Sequence, residues 1–172
     1  MNCIECESTV VTRRATSEKP YAYKLSELPG VFLVGISVNV CPSCGLESPV
    51  IPRLTELHRV IAHTLHKKPT PLNGAEIKFL RKVIGVSAQK FAKGLRIDPT
   101  YLSKVENGHA TVGESLDQLI RLYTLTRMAQ EDQKAQALLW QIVDEVEKPV
   151  KEVQEAPFYE LKNNQWKPKK AA

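Results

Sequence analysis

The sequence predicts an α+β fold: a small β-rich N-terminal module drawn together by four cysteines, an all-α helix-turn-helix domain, and a C-terminal helical extension. Three observations predict it. Four cysteines fall in two pairs, Cys3-Ile4-Glu5-Cys6 and Cys41-Pro42-Ser43-Cys44, with 34 residues between the pairs. The stretch between them is rich in β-branched and aromatic residues. From residue 53 onward, apolar residues recur at helical spacing and are punctuated by capping residues.

Two residues between cysteines let a tight turn aim both sulfurs at one point, and two such turns supply four thiolates, the set that suits tetrahedral zinc. Pro42 fixes the entry to the second turn, and Gly45 allows a positive φ just after its last sulfur. Cys3, Cys6, Cys41 and Cys44 are therefore the expected ligands of one Zn2+ per chain. Disulfides and a redox iron centre are the alternatives. With four protein thiolates no coordination position stays open for water, so the expected site is structural and the chain is not expected to be an enzyme.

Within the module (residues 1–50), Tyr21–Leu25 reads as a short aromatic strand. Val31–Val40 reads as a second strand, entered through Pro29-Gly30 and ending at the second cysteine pair. So few residues bury a small core, and a metal would supply the missing folding free energy.

Residues 51–72 read as a helix and a linker. Pro49 and Pro52 stop the β module. Leu54, Leu57, His58, Ile61 and Leu65 then share a helical face over 53–67, and Lys67-Lys68-Pro69-Thr70-Pro71 forms a short stiff connection. His58, His63 and His66 stand five and three residues apart, which is a poor shared ligand face and suits packing histidines better.

Residues 73–127 read as the helix-turn-helix domain. Asn73 and Glu76 form a capping box at the start of its first helix, Ile77, Leu80 and Ile84 face inward, and Gly85 ends it. Ser87 caps a second helix whose inner residues are Phe91, Ala92 and Leu95. Asp98-Pro99 opens the third helix as N-cap and first residue, Leu102 and Val105 face the core, and Asn107-Gly108 closes it. A fourth helix over 115–128 carries Leu116, Leu119, Ile120 and Tyr123 on one face.

On the third helix Pro99, Thr100, Ser103, Lys104 and Asn107 are left outward, and Thr100 and Lys104, four apart, can reach base edges in a major groove. Tyr101 is expected at a base, a thymine methyl or a phosphate, and Gln89, Lys90 and Lys93 of the second helix at phosphates. Residues 128–147 read as a further amphipathic helix, and 148–172 as a mobile tail.

Composition agrees with a soluble globular chain: 172 residues, 42% hydrophobic and 25% charged. No apolar run reaches the roughly 18 residues of a membrane span, and the first residues lack the pattern of a secretory signal. A cytoplasmic location and no membrane partner are expected. The net charge of +5 is concentrated in the middle: residues 51–72 hold four basic residues against one acidic, and residues 73–127 nine against five. A basic segment suits a polyanion.

The run Leu80–Ser87, then Phe91-Ala92, then Tyr101-Leu102-Ser103-Lys104-Val105-Glu106-Asn107-Gly108 resembles the Cro-type (XRE, lambda-repressor-like) helix-turn-helix family over about 55 residues. The resemblance implies a structural ion pair between Arg81 and Glu106. Two positions depart from the family pattern: Ala88 stands where a phosphate-binding Gln is common, and Arg96 stands where the turn usually has Gly. Arg96 is expected to add a phosphate contact.

A paired-cysteine module ahead of such a domain resembles the YgiT-type zinc-finger regulators, the MqsA-like antitoxins. That resemblance implies a homodimer on a palindromic double-stranded DNA operator, and an N-terminal module that holds an RNA-cleaving toxin. The family's base-reading Asn and Arg are matched here by Thr100 and Lys104, so its operator sequence does not carry over. The function expected is a sequence-specific transcriptional regulator, a repressor or an autoregulating antitoxin of a toxin-antitoxin system. The alternatives are a protein-binding adaptor without DNA specificity and a stand-alone or phage-type regulator with no toxin.

Overall fold

The computed structural model describes residues 2–130, 137–138 and 158–169. The architecture is α+β; in the described residues, β-sheets beside the cysteines are followed by five helices and by C-terminal strands that return to the N-terminal part. The chain divides into two compact units, residues 1–60 with 155–172, and residues 61–154.

Among the described residues the first unit holds two sheets. In one, β1 (Val11–Arg14), β4 (Ser37–Val40) and β5 (Glu47–Val50) pair antiparallel in the order β1-β4-β5. In the other, β2 (Tyr21–Ala22), β3 (Phe32–Val34), β6 (Phe158–Lys162) and β7 (Gln165–Lys169) lie in that order. The single strand expected over Val31–Val40 is two strands in different sheets. Gly35, at φ +81, breaks it, and a left-handed residue cannot continue a strand. Likewise Tyr21–Leu25 is only a two-residue strand followed by a 3-10 turn over Lys24–Ser26. Leu33, Val34, Ile36, Val38, Tyr23 and Tyr159 are buried in this unit.

The mobile tail expected over 148–172 is corrected for its described part. Residues 158–169 form a hairpin whose first strand pairs in parallel with β3. Asn163 and Asn164, both at positive φ, make the two-residue turn that this twist requires. The helix expected over 128–147 lies almost wholly outside the described residues.

Helix α1 spans Leu54–His66; its residues to Val60 belong to the first unit and those from Ile61 to the second. The second unit continues with α2 (Gly74–Val83), α3 (Ala88–Leu95), α4 (Pro99–Glu106) and α5 (Glu114–Ala129). The caps explain the boundaries. Asn73 and Glu76 form a complete capping box, Ser87 accepts from the Lys90 N–H, and Asp98 accepts from Thr100 and Tyr101 with Pro99 as first helical residue. Phe91, Ala92, Ile77, Leu80, Leu102, Val105, Ile120 and Leu125 form the core. Gly74 is required where α2 starts, because a Cβ there would collide with the Val105 carbonyl at the end of α4.

The buried stripe of α5 differs from the expected one. Asp117, Ile120, Arg121, Thr124, Leu125 and Met128 face inward, whereas Leu119 is 43% exposed. Ile120 of the expected face is buried and Tyr123 packs edge-on against Phe91, but half of the buried stripe is polar, which hydrophobic periodicity does not reveal.

Candidate functional site

The cysteines come together from two loops of the same design. In the first, the Glu7 N–H donates to the Cys3 carbonyl at 3.0 Å and the Cys3 N–H to the Ser8 carbonyl at 2.8 Å. In the second, the Gly45 N–H donates to the Cys41 carbonyl and the Cys41 N–H to the Leu46 carbonyl, both at 2.9 Å. The residue after each second cysteine is left-handed, Glu7 at φ 58 and Gly45 at φ 75. Gly45 takes that conformation without steric cost and Glu7 does not. Each loop is closed by its own flanks, the first by the Asn2–Thr9 bridge and the second by β4 and β5, and the β1–β4 pairing, with Val11 opposite Val40, joins the two.

The Sγ atoms of Cys3 and Cys44 lie 3.6 Å apart and those of Cys6 and Cys41 3.4 Å, and all four lie within 4.8 Å of one another. A tetrahedral ion with metal–sulfur bonds of about 2.3 Å sets its sulfurs about 3.8 Å apart, so the cluster fits one such ion. The four cysteines could hold one metal ion. Cys3 and Cys41 are buried, and Cys6 and Cys44 are exposed.

The electrostatics agree with that fit. The Ser8 hydroxyl and backbone N–H, with Cys41, hold the Cys6 thiol down at about 6. For Cys44 the Leu46 N–H pulls down, but the neighbouring Cys41 and Cys3 sulfurs outweigh it and push the thiol up to about 12. Four sulfurs this close cannot all carry charge unless a cation balances them. Thiolates without oxygen donors suit a borderline-soft ion such as zinc.

The helix-turn-helix candidates sit on α3, the following turn and α4. Gln89, Lys90, Lys93, Arg96, Pro99, Thr100, Ser103, Lys104 and Asn107 are exposed, and Leu102 and Val105 on the opposite side of α4 are buried. Three of the candidates are already engaged. The Tyr101 hydroxyl donates to the Thr111 carbonyl at 2.9 Å, tying α4 to the loop before α5. The Asn107 amide donates to the Ser103 carbonyl at 2.8 Å and to the Ser103 hydroxyl at 3.4 Å. Lys104 and Ser103 carry the outward face of α4 beside Thr100. Asp98 is held below its usual carboxylate range by the Tyr101 and Thr100 N–H groups, so an anion stands at the leading end of α4.

Arg96 occupies the turn at φ 55. Its N–H donates to the Lys93 carbonyl at 3.2 Å and the Ile97 N–H to the Ala92 carbonyl at 3.0 Å, a Schellman ending with arginine in the left-handed position. The turn therefore has the shape glycine would give it. Arg81 donates through Nε to Glu106 Oε1 at 2.7 Å and through its second terminal nitrogen to Oε2 at 2.8 Å. The first terminal nitrogen reaches the Val86 carbonyl at 3.1 Å. This fork locks α2 to the end of α4.

Sequence reasoning missed a second buried ionic group. Arg121 donates to Asp117 at 2.7 Å, to the carbonyls of Leu65 and His66 at 2.8 and 3.0 Å, and to Thr70 at 2.9 Å. Asp117 accepts from the Leu72 N–H at 2.7 Å. The supposed stiff linker is thus fastened to α5. The i, i+4 spacing of Asp117 and Arg121 was the available signal. Of the three α1 histidines, His58 accepts from or donates to the Tyr23 hydroxyl at 2.8 Å. His66 donates through Nδ1 to the Ala62 carbonyl at 2.6 Å, which leaves Nε2 to accept from Thr124 at 2.8 Å. Among the described residues the cysteines are the cluster able to hold a metal. No described helix is long and apolar enough to cross a membrane. No family model, curated protein or solved structure matches the chain.

Proposed function

We propose that the chain is a sequence-specific DNA-binding transcriptional regulator, a repressor of its own promoter, with one structural zinc at Cys3, Cys6, Cys41 and Cys44. The observation that carries this reading is the outward side of α3 and α4. Lys90, Lys93, Arg96 and Lys104 are exposed there; of the two carboxylates at the ends of α4, Glu106 is neutralised by Arg81 and Asp98 is bound by the Thr100 and Tyr101 N–H groups. A short helix ending in a tight turn before a second helix, with a polar cationic face, is the form that enters a major groove. Lys104 and Ser103 would read base edges. Lys90, Lys93, Arg96 and Gln89 would hold phosphates. Tyr101 would position the helix through its bond to Thr111.

The likeness to XRE-type domains and YgiT-type regulators supports a homodimer on a palindromic operator. It also supports the finer reading of an antitoxin whose N-terminal module holds an RNA-cleaving toxin. Four thiolates fill a tetrahedral site, so the zinc would stabilise the module and activate no water.

The test compares wild type, Lys104→Ala and Lys93→Ala on a DNA sequence selected by the wild type and on a scrambled competitor. Lys104→Ala is expected to lose about 10- to 100-fold in preference for the selected sequence while keeping its helical content. Lys93→Ala is expected to weaken binding to both sequences equally. Unchanged preference in Lys104→Ala would remove the proposed reading face.

A further inference from the structure

The last strands of the chain complete a sheet begun by the first forty residues. β6 lies in parallel on β3, with Phe32 opposite Phe158, Leu33 opposite Tyr159 and Val34 opposite Glu160. The rings of Phe32 and Phe158 stack at 5.4 Å. Tyr159 is fully buried and Trp166 is 4% exposed. Two polar anchors hold the hairpin to the segment before α1: the Trp166 indole N–H donates to the Pro52 carbonyl at 3.1 Å, and Arg53 donates to the Asn164 carbonyl in the turn.

The attachment is local. The parallel ladder is three residues long, and parallel pairing is the weaker kind per residue. The hairpin itself is longer, with five pairs and its own Asn163-Asn164 turn, so its internal register does not depend on β3. β1, β4 and β5, which carry the second cysteine loop, form a separate sheet. The break between the sheets falls at Gly35. A Cβ there would stand 2.9 Å from the Leu161 carbonyl, so β6 can seat only against a residue without a side chain.

We propose that the β6–β7 hairpin is a releasable strap on the cysteine module. Docked, it covers the edge of β3 and the apolar surface around Leu33 and Phe32. Released, it leaves β2 and β3 as a two-stranded remnant with an open edge, while the β1-β4-β5 sheet and its cysteines stay folded. A remnant of two short strands is marginal in water. Release would therefore expose a strand edge and apolar side chains on a module that still holds its metal.

Hydrogen exchange on the full-length, zinc-loaded protein tests this, in the wild type and in Trp166→Ala. In the wild type, amides of β3, β6 and β7 are expected to exchange together, and faster than those of β4 and β5. In Trp166→Ala the β3, β6 and β7 amides are expected to lose at least roughly tenfold in protection, with β4 and β5 amides and bound zinc unchanged. Phe158→Ala, which removes the ring stacked on Phe32, should give the same split if Trp166→Ala proves insoluble. Exchange of all these strands as one unit in every protein would overturn the proposal, because the hairpin would then be an integral part of the module. Unprotected β6 and β7 amides in the wild type would overturn it too, because no strap would be docked.

Discussion

Arg81 and Glu106 are 12% and 8% exposed at their side chains and share a two-bond fork. Removing one partner strands the other charge away from water. Arg81→Met is therefore expected to cost about 3–5 kcal/mol, and Arg81→Met with Glu106→Leu to recover most of it. Urea denaturation of both variants checks this, and a single variant as stable as wild type would contradict it.

His66 makes a second claim at the same scale. Burial, reinforced by His63 and Arg121, pushes its imidazole down to about 3 against the pull of the Ala62 carbonyl. The unfolded imidazole protonates near its ordinary value of about 6.5. Between these values the unfolded chain binds more protons than the folded one, so stability falls as pH is lowered through that window. The loss from pH 6.5 to pH 5 should be about 2 kcal/mol, and it should be smaller in His66→Gln. Denaturation curves at the two pH values measure it; equal slopes in both proteins would contradict it. The Arg81 pair was legible because a family pattern names it. Asp117 and Arg121 were not, because a charged residue on a helix reads by default as solvated; His66 is the packing histidine its spacing suggested, but its bond to Thr124 across 58 residues has no local signature.

At the scale of elements, the capping residues were the most legible feature. Asn73, Ser87, Asp98-Pro99, Gly85 and Gly108 mark the ends of α2, α3 and α4 because each satisfies backbone groups that a helix leaves open. Arg96 is the exception, a non-glycine residue in a left-handed Schellman position. Arg96→Gly is expected to raise stability by about 1 kcal/mol, since the conformation costs about that much for a residue with a Cβ. Thermal melts decide it, and a lower Tm in Arg96→Gly would mean that the arginine side chain holds the turn. The strands were less legible. Gly35 stands inside one apolar run, and only tertiary pairing reveals that it divides two sheets. The β6–β7 hairpin was hidden by its lysines and by Pro168, although Asn163-Asn164 between Phe158–Lys162 and Gln165–Lys169 is a two-residue hairpin turn.

At the scale of the whole molecule, the order of cysteine module and helical domain was legible from spacing and caps. The return of the chain's end to the first module was not, because a parallel pairing between residues 32–34 and 158–160 has no local signature. The four-cysteine cluster and the cationic side of α3 and α4 are the two features that point to function. Their joint reading as a DNA-binding regulator is the central claim, and it predicts both sequence preference and a strong electrostatic component. The direct measurement is equilibrium binding of the zinc-loaded protein to the DNA upstream of its own coding sequence and to a scrambled fragment, across a salt series. The predicted result is tight binding to the native fragment, weaker binding to the scrambled one, and affinity that falls steeply as salt rises. Absence of binding to either fragment at low salt would contradict the claim and leave the helical domain as a protein-binding bundle.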